Sequence, residues 1–327
     1  MSTPDGVQES RAAWRLGIIT PRRKRIFFGL LVVLGLVLPY LVYPVFLMNV
    51  LCMALFASAF NLLLGYTGLL SFGHAAFLGT AGYVTGWLLR SVGLPVELGV
   101  LAGTAVATVL GWAIGALAIR RSGIYFAMIT LGFAQMIYFL AVQLPFTGGE
   151  DGLQGIPQGK ALGFVPLHNP YALYYFVFAI FALGFAVIYR TIHSPFGHVL
   201  RSIRENEARA LSLGYDVERY KLVAFVISAG LAGLAGSTKA LVLQFVTLTD
   251  VHWHKSGEVV LMTLLGGMGT VMGPSVGALL VVAMENYLTG FGDWVTVIVG
   301  TVFVAGVLAF RRGIVGEALH LARNFPF

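Results

Sequence analysis

The sequence predicts an all-α polytopic membrane protein with about ten transmembrane helices. Three observations carry this: a shortage of charge, a succession of long apolar runs, and no polar alternation within them. Only 11% of the 327 residues are charged and 58% are hydrophobic, whereas a soluble domain carries about 25% charged residues to face water. The mean hydropathy of +0.85 agrees. Such a chain must hide most of its exterior in lipid. Backbone amides find no water in hydrocarbon, so each crossing is a helix or part of a closed barrel. Continuous apolar runs select the helix.

The apolar runs place spans at 26–43, 45–64, 70–90, 96–118, 123–144, 171–190, 222–244, 257–268, 274–290 and 293–310. The first follows Arg22, Arg23, Lys24 and Arg25 and runs on from Phe27 to Leu47. That exceeds the roughly 7–15 residues of a secretory apolar core, so it reads as a retained helix. The eighth falls well below the ~20 residues of a crossing; it is either longer than its apolar core or re-entrant. Around these spans lie a basic tail, 1–25, and a closing tail, 311–327, with long polar loops at 145–170 and 194–220.

Lysine and arginine set the orientation, because cytoplasmic loops accumulate them. Arg11, Arg15 and the 22–25 cluster put the N-terminus in the cytoplasm. Counting crossings then brings Arg120, Arg121, the segment Arg190 to Lys221, and Arg311 with Arg312 to the same side. Loop 145–170 falls outside with Lys160 as its one cation. This distribution explains the net charge of +7 without nucleic acid, whose ligands need a basic patch. The single cysteine, Cys52, sits in an apolar run and reads as a small buried side chain.

Several local patterns stand out. Leu63 to Gly68 and Leu264 to Gly269 share the pattern LLGxxG. The echo fits either chance in a glycine-rich chain or two pseudo-repeated halves with discontinuous helices, as transporters often have. Glycines at 269, 273 and 277, and the pairs 82/86, 99/103 and 111/115, let helix backbones approach closely. Gly65, Gly68, Gly266 and Gly267, with Ser71 and His74, are candidates for helix breaks or a substrate path. A buried histidine bonded to a neighbouring helix is the plainer reading of His74. Lys239, Glu258 and Glu285 fall near the outer ends of spans, where snorkelling or interfacial placement accounts for them.

The inner segment around Arg204, Glu205, Glu207 and Gly214 mixes charge with apolar positions at Leu200, Ile203, Ala210, Leu211 and Leu213. It predicts one or two short amphipathic helices stopped by Gly214 and suited to a soluble partner. A catalytic reading finds little. The one Gly-Lys pair, Gly159-Lys160, is followed by Ala161, so no phosphate loop exists. His252 and His254 flank Trp253 without a convincing ligand set, and no HExxH or GxSxG occurs.

Four stretches together carry a resemblance to a known family: Asn61–Phe77, Thr147–Pro157, Ser194–Gly236 and Ser256–Ala278, with Phe310–Gly316 like the family's ending. The chain resembles permease subunits of bacterial branched-chain amino-acid ABC importers, of the LivM type. The resemblance implies a bacterial inner-membrane permease domain over 26–310 with both termini cytoplasmic. It also implies its partners: a second, LivH-type permease, two ATP-binding subunits that hold ATP and magnesium, and a periplasmic substrate-binding protein. On this resemblance the chain binds no cofactor and works by alternating access. Segment 194–220 becomes the coupling loop to the ATPase, with Arg204, Glu205, Glu207 and Gly214 as contacts. Thr147, Gly148, Gly149, Glu150 and Asp151 become a docking or gating element for the binding protein. The general importer pattern EAAxxxG is not kept, since Arg209 follows Glu207-Ala208 and Gly214 falls one residue late. Related importers for urea, amides or small aromatic acids stay open as alternatives, as does an ion-coupled secondary transporter.

Overall fold

The computed structural model describes residue 29 and residues 31–317, excepting 162, 164, 289, 291, 293, 311 and 312. The arginine and lysine cluster of the N-terminal tail, together with Arg311 and Arg312, lies outside the described residues. Two units are distinguished, with the boundary between Tyr43 and Pro44. In the first, residues 31–37 are helical and pass into a 3-10 turn, Leu38–Tyr40, closed by a bond from Leu41 N to Leu38 O at 3.0 Å.

The second unit is a helical bundle. Five of its helices have the length and hydropathy of a crossing: α1 Pro44–Thr67, α3 Val96–Ala118, α4 Ile124–Gln143, α5 Pro170–Ile192 and α8 Val217–Leu243. Shorter helices complete it: α2 His74–Trp87, α6 Pro195–Glu205, α7 Glu207–Ser212, α9 Trp253–Gly266, α10 Gly273–Tyr287 and α11 Trp294–Ala309. Among the described residues, sheet is confined to two-residue pieces, β1 Leu153–Gln154, β2 Lys160–Ala161, β3 Val165–Pro166 and β4 Phe245–Val246. The five long helices coincide with apolar runs of the sequence. Among the described residues the remaining helices are too short by themselves to establish ten crossings. At 1.5 Å per residue α9 spans about 21 Å, against about 30 Å of hydrocarbon. It begins at Trp253, ahead of its apolar core, and ends at Gly266.

Burial separates centre from periphery. In their most apolar stretches α1 and α8 are 83% and 72% buried, against 33% for α3, α4 and α5. A helix apolar on all sides belongs in the core, and α8 duly packs on α1, α2 and α3. Small residues allow the approach. A Cβ on Gly236 would overlap the Leu78 carbonyl oxygen of α2, and one on Gly277 the Met262 carbonyl oxygen of α9. The less buried helices present large apolar side chains outward, among them Leu101, Val109 and Trp112 of α3 and Met128 and Phe139 of α4. Such a surface suits lipid or another membrane chain.

Contacts sort the loops into two ends. At one end, β1 pairs antiparallel with β4, Arg90 Nη1 donates to Gln154 O at 2.9 Å, and Tyr138 meets His252 edge-on at 5.0 Å. At the other end lie the breaks after α1 and α9, the hairpin of α6 and α7, and Gly313 against Gly267.

Candidate functional site

The coupling candidates and the candidate glycine breaks gather at the end that carries the α6–α7 hairpin. Ser194 caps α6 by accepting from Gly197 N, and Asn206 caps α7 by accepting from Arg209 N at 2.9 Å. Pro195 opens α6, where its missing N–H costs nothing. Gly214, at φ +84°, turns the chain left-handed after α7, a conformation open to glycine without penalty. The hairpin seats Ile203, Ala210 and Val217 in a small apolar core and leaves Glu205, Glu207 and Arg209 exposed. Leu211 and Leu213, 56% and 68% exposed, form an apolar tip.

Two polar contacts tie this hairpin to the buried helices. Arg204 Nη1 donates to Gly65 O at the end of α1. Lys221, at the start of α8 and only 5% exposed in its side chain, pairs with Glu207 at 2.7 Å. Arg201 adds a cation–π contact, 5.2 Å from the Tyr66 ring centre. Each of these links joins the hairpin to α1 or α8, the most buried spans.

The two LLGxxG segments meet at the same place. Each closes a helix, α1 at Thr67 and α9 at Gly266, and each is followed by a non-helical stretch, 68–73 or 267–272, before the next helix starts. The final glycines of both, Gly68 and Gly269, adopt φ +77°. Asn61 joins the two: its Nδ2 donates to Thr270 O at 2.8 Å, and its Oδ1 accepts from Gly269 N at 2.9 Å. A Cβ on Gly68 would come within 3.3 Å of Arg204 Cγ. Arg204, Gly65, Gly68, Gly269 and Asn61 thus form one cluster, and Gly266 packs behind it on Gly273.

Ser71 and His74 stand apart from that cluster. Ser71 Oγ accepts from Gly73 N at 3.2 Å in the turn that leads into α2. His74 is fully buried, 2.8 Å from Ser228 Oγ, and is ringed edge-on by Phe60, Phe77 and Phe225. Ser228 in turn donates to Ala59 O at 2.6 Å. These contacts make His74 a cross-helix polar link between α1, α2 and α8.

The residues of the outer loop lie at the opposite end. Thr147 is buried and donates to Ala141 O and Leu144 O, both at 2.6 Å. Gly148 and Gly149 adopt φ +81° and +60°, and Glu150 and Asp151 project outward from a 3-10 turn. Through β1 and β4 this loop is stitched to segment 245–250. That segment is one wall of a cavity of about 340 Å³.

The cavity corrects the snorkelling reading: Lys239, Glu258 and Glu285 line one chamber, with Asp250, His254 and Lys255. Lys239 pairs with Asp250, their side chains 12% and 8% exposed. Lys255 pairs with Glu258 at 2.6 Å, each 17% exposed. Charges so far from water need partners, and the chain supplies them across α8, α9 and the loop between. The sequence signal available was density: seven ionisable residues, two of them histidines, between 239 and 285 in an otherwise apolar region. Among the described residues no group of three His, Cys, Asp or Glu side chains is placed to hold a metal. Beside the chamber, burial and then the charge of His254 hold the His252 imidazole below its ordinary range.

Among the described residues, five helices of membrane-crossing length, with a polar hairpin packed against the ends of the two most buried ones, fit a multi-pass membrane protein. The chain belongs to the family described as branched-chain amino acid transport system / permease component, which matches residues 44–309. It is 27% identical over 277 residues to the high-affinity branched-chain amino acid transport system permease protein LivM of Escherichia coli (strain K12), covering 78% of this chain. The match spans 65% of that protein's length. It is 29% identical over 164 residues to the autoinducer 2 import system permease protein LsrC of Klebsiella pneumoniae, 47% of this chain and 45% of that one. It is 26% identical over 156 residues to the probable branched-chain amino acid transport permease protein LivH of Methanocaldococcus jannaschii, 43% of this chain and 46% of that one. No solved structure matches the chain.

Proposed function

We propose that this chain is a permease subunit of a binding-protein-dependent ABC importer that carries branched-chain amino acids across a bacterial inner membrane. The observation that carries the reading is the Arg204–Gly65 contact within the Asn61 cluster. It joins an exposed, charged hairpin to both helix breaks. On this reading two ATP-binding subunits hold ATP and magnesium and dock on the hairpin, using Glu205, Glu207, Gly214 and the apolar tip. Their closure pulls Arg204, and the pull reaches α1 directly and the 267–272 break through Asn61. A second, LivH-type permease completes the path. The binding protein docks over Thr147 to Asp151, whose loop is stitched to the cavity wall.

The orientation follows from charge. Arg120, Arg121, Arg190, Arg201, Arg204 and Arg209 share the hairpin's side, which supports a cytoplasmic hairpin. About ten crossings, both termini inside, remain the proposed topology, with α2, α9 and α10 supplying short or broken spans. The paired breaks with φ +77° at Gly68 and Gly269 support two related halves.

The test is purification of the tagged chain from its native membrane. Nucleotide-binding subunits should co-purify, and ATP hydrolysis should rise when leucine-loaded binding protein is added. A chain that purifies alone and concentrates leucine in vesicles under an ion gradient would refute the assignment.

A further inference from the structure

We propose that the ionic cavity walled by segment 245–250 is a binding site for a zwitterionic α-amino acid. The ligand's carboxylate is held by Lys239 and Lys255, and its ammonium by Asn49 and the carboxylates. This rests on the amino-acid importer reading and adds to it the residues that recognise the head group.

Four observations point to a ligand. The first is size, since about 340 Å³ falls in the range of small-ligand pockets. The second is the lining. Buried ion pairs often stabilise no better than apolar side chains of similar volume, yet this chamber collects two lysines and three carboxylates. A structural role alone gives little reason for that concentration. The third is Asn49 Oδ1, a buried acceptor on the cavity wall that has no hydrogen-bond partner. A buried acceptor left unmatched costs free energy that a bound donor such as an ammonium recovers. The fourth is the presence of Met53, Leu243 and Phe245 on the same walls, which offer contact to an aliphatic side chain.

The two signs of charge select the ligand class. A simple anion would meet Asp250, Glu258 and Glu285, and a simple cation would meet Lys239 and Lys255. A zwitterion presents each sign to its opposite. The capacity exists on the lysine side: an ammonium has three N–H donors, and Lys239 gives one to Asp250. The position is suitable too, because the cavity wall is bonded to the loop proposed to receive the binding protein. The chamber is thus the first station after delivery.

The probe site is Thr249, exposed on the cavity wall, changed to cysteine in the full chain within its importer in nanodiscs. Native Cys52 is 3% exposed and gives little background labelling. Maleimide labelling of Thr249→Cys is followed with L-leucine, with leucinamide, which lacks the carboxylate, and with 4-methylpentanoate, which lacks the ammonium. Leucine should protect at concentrations on the order of tenfold to a hundredfold lower than either analogue, the factor for one lost charge-assisted hydrogen bond. The double variant Lys239→Gln with Asp250→Asn removes both charges of a pair at once and leaves neither stranded. It should bring leucine's protection down towards that of leucinamide. Equal protection by all three compounds overturns the proposal. So does no protection in a preparation whose ATP hydrolysis still rises with leucine-loaded binding protein. Loss of that stimulation in the unsubstituted importer overturns instead the amino-acid reading beneath it.

Discussion

Asn61→Leu should both destabilise the bundle and uncouple it. Leucine is close in size to asparagine but makes neither of the two hydrogen bonds that hold the 267–272 break against α1. Interhelical bonds in membranes average about 0.6 kcal/mol, which would put the loss near 1 kcal/mol. A larger figure applies here, because the stranded partners are backbone groups in a non-helical stretch with no helical ladder to rejoin. Each buried unsatisfied group costs roughly 1–3 kcal/mol, so the pair gives about 2–6 kcal/mol. Asn61→Asp keeps the acceptor for Gly269 N–H, loses the donor to Thr270 O, and should fall between. The assay is denaturant-induced unfolding of the reconstituted chain, read beside leucine-stimulated ATP hydrolysis. In Asn61→Leu, unfolding should move to lower denaturant and hydrolysis should lose its dependence on substrate. An unchanged unfolding curve would refute the energetic argument, and intact coupling in the same variant would refute Asn61 as the link.

Three further outcomes follow from named contacts. Arg204→Lys keeps the charge but loses the planar fork that reaches Gly65 O, so substrate-stimulated hydrolysis should drop several-fold while Arg209→Lys, on the exposed side, behaves as the parent; equal behaviour of the two would exclude the contact. Gly236→Ala forces α8 away from the Leu78 carbonyl and should cost about 3 kcal/mol, the upper part of the overpacking range. A thermal unfolding curve matching the parent's would show that α2 and α8 are not so closely packed. Glu150→Gln with Asp151→Asn should slow association of the binding protein mainly at low ionic strength, as exposed charges steer encounters; an association rate independent of salt in both forms would remove these residues from the docking surface.

The extent to which the sequence disclosed these features depends on how local each signal is. Runs such as 96–118 and 171–190 coincide with α3 and α5 because hydropathy over one span is a local property. The α6–α7 hairpin was also legible, since its apolar positions, caps and closing glycine all lie within some twenty consecutive residues. Asn61 stands alone as an amide late in an apolar run, but its role is not legible locally because its partners lie 208 and 209 residues away. Lys239 misled for a related reason. A lysine near a span end ordinarily reaches for the interface, but here the chain returns 11 residues later with Asp250 and gives it a buried partner.

The Asn61–Arg204 cluster, a latch between hairpin and helix breaks, and the ionic chamber lie at opposite ends of the same helices. Asn49 of α1 faces the chamber, while Asn61 and Gly65 of α1 belong to the latch. On α8 the corresponding positions are Lys239 and Lys221, and on α9 they are Glu258 and the glycines that follow Gly266. From Asn49 to Gly65 is about 24 Å of helix and from Lys239 to Lys221 about 27 Å, at 1.5 Å per residue. A buried helix of that length transmits a tilt well, because close-packed interiors shift between discrete arrangements and resist smooth deformation. The left-handed glycines Gly68 and Gly269 sit where such a tilt has to be absorbed, beside the Arg204 contact. On the proposed mechanism, a pull on the hairpin of one ångström-scale step would alter the spacing between Asn49 and Glu258 at the far end. It would do so without any chain of side-chain rearrangements between the two sites. Substitutions in mid-helix that preserve packing should therefore leave coupling intact, whereas small changes at either end should not.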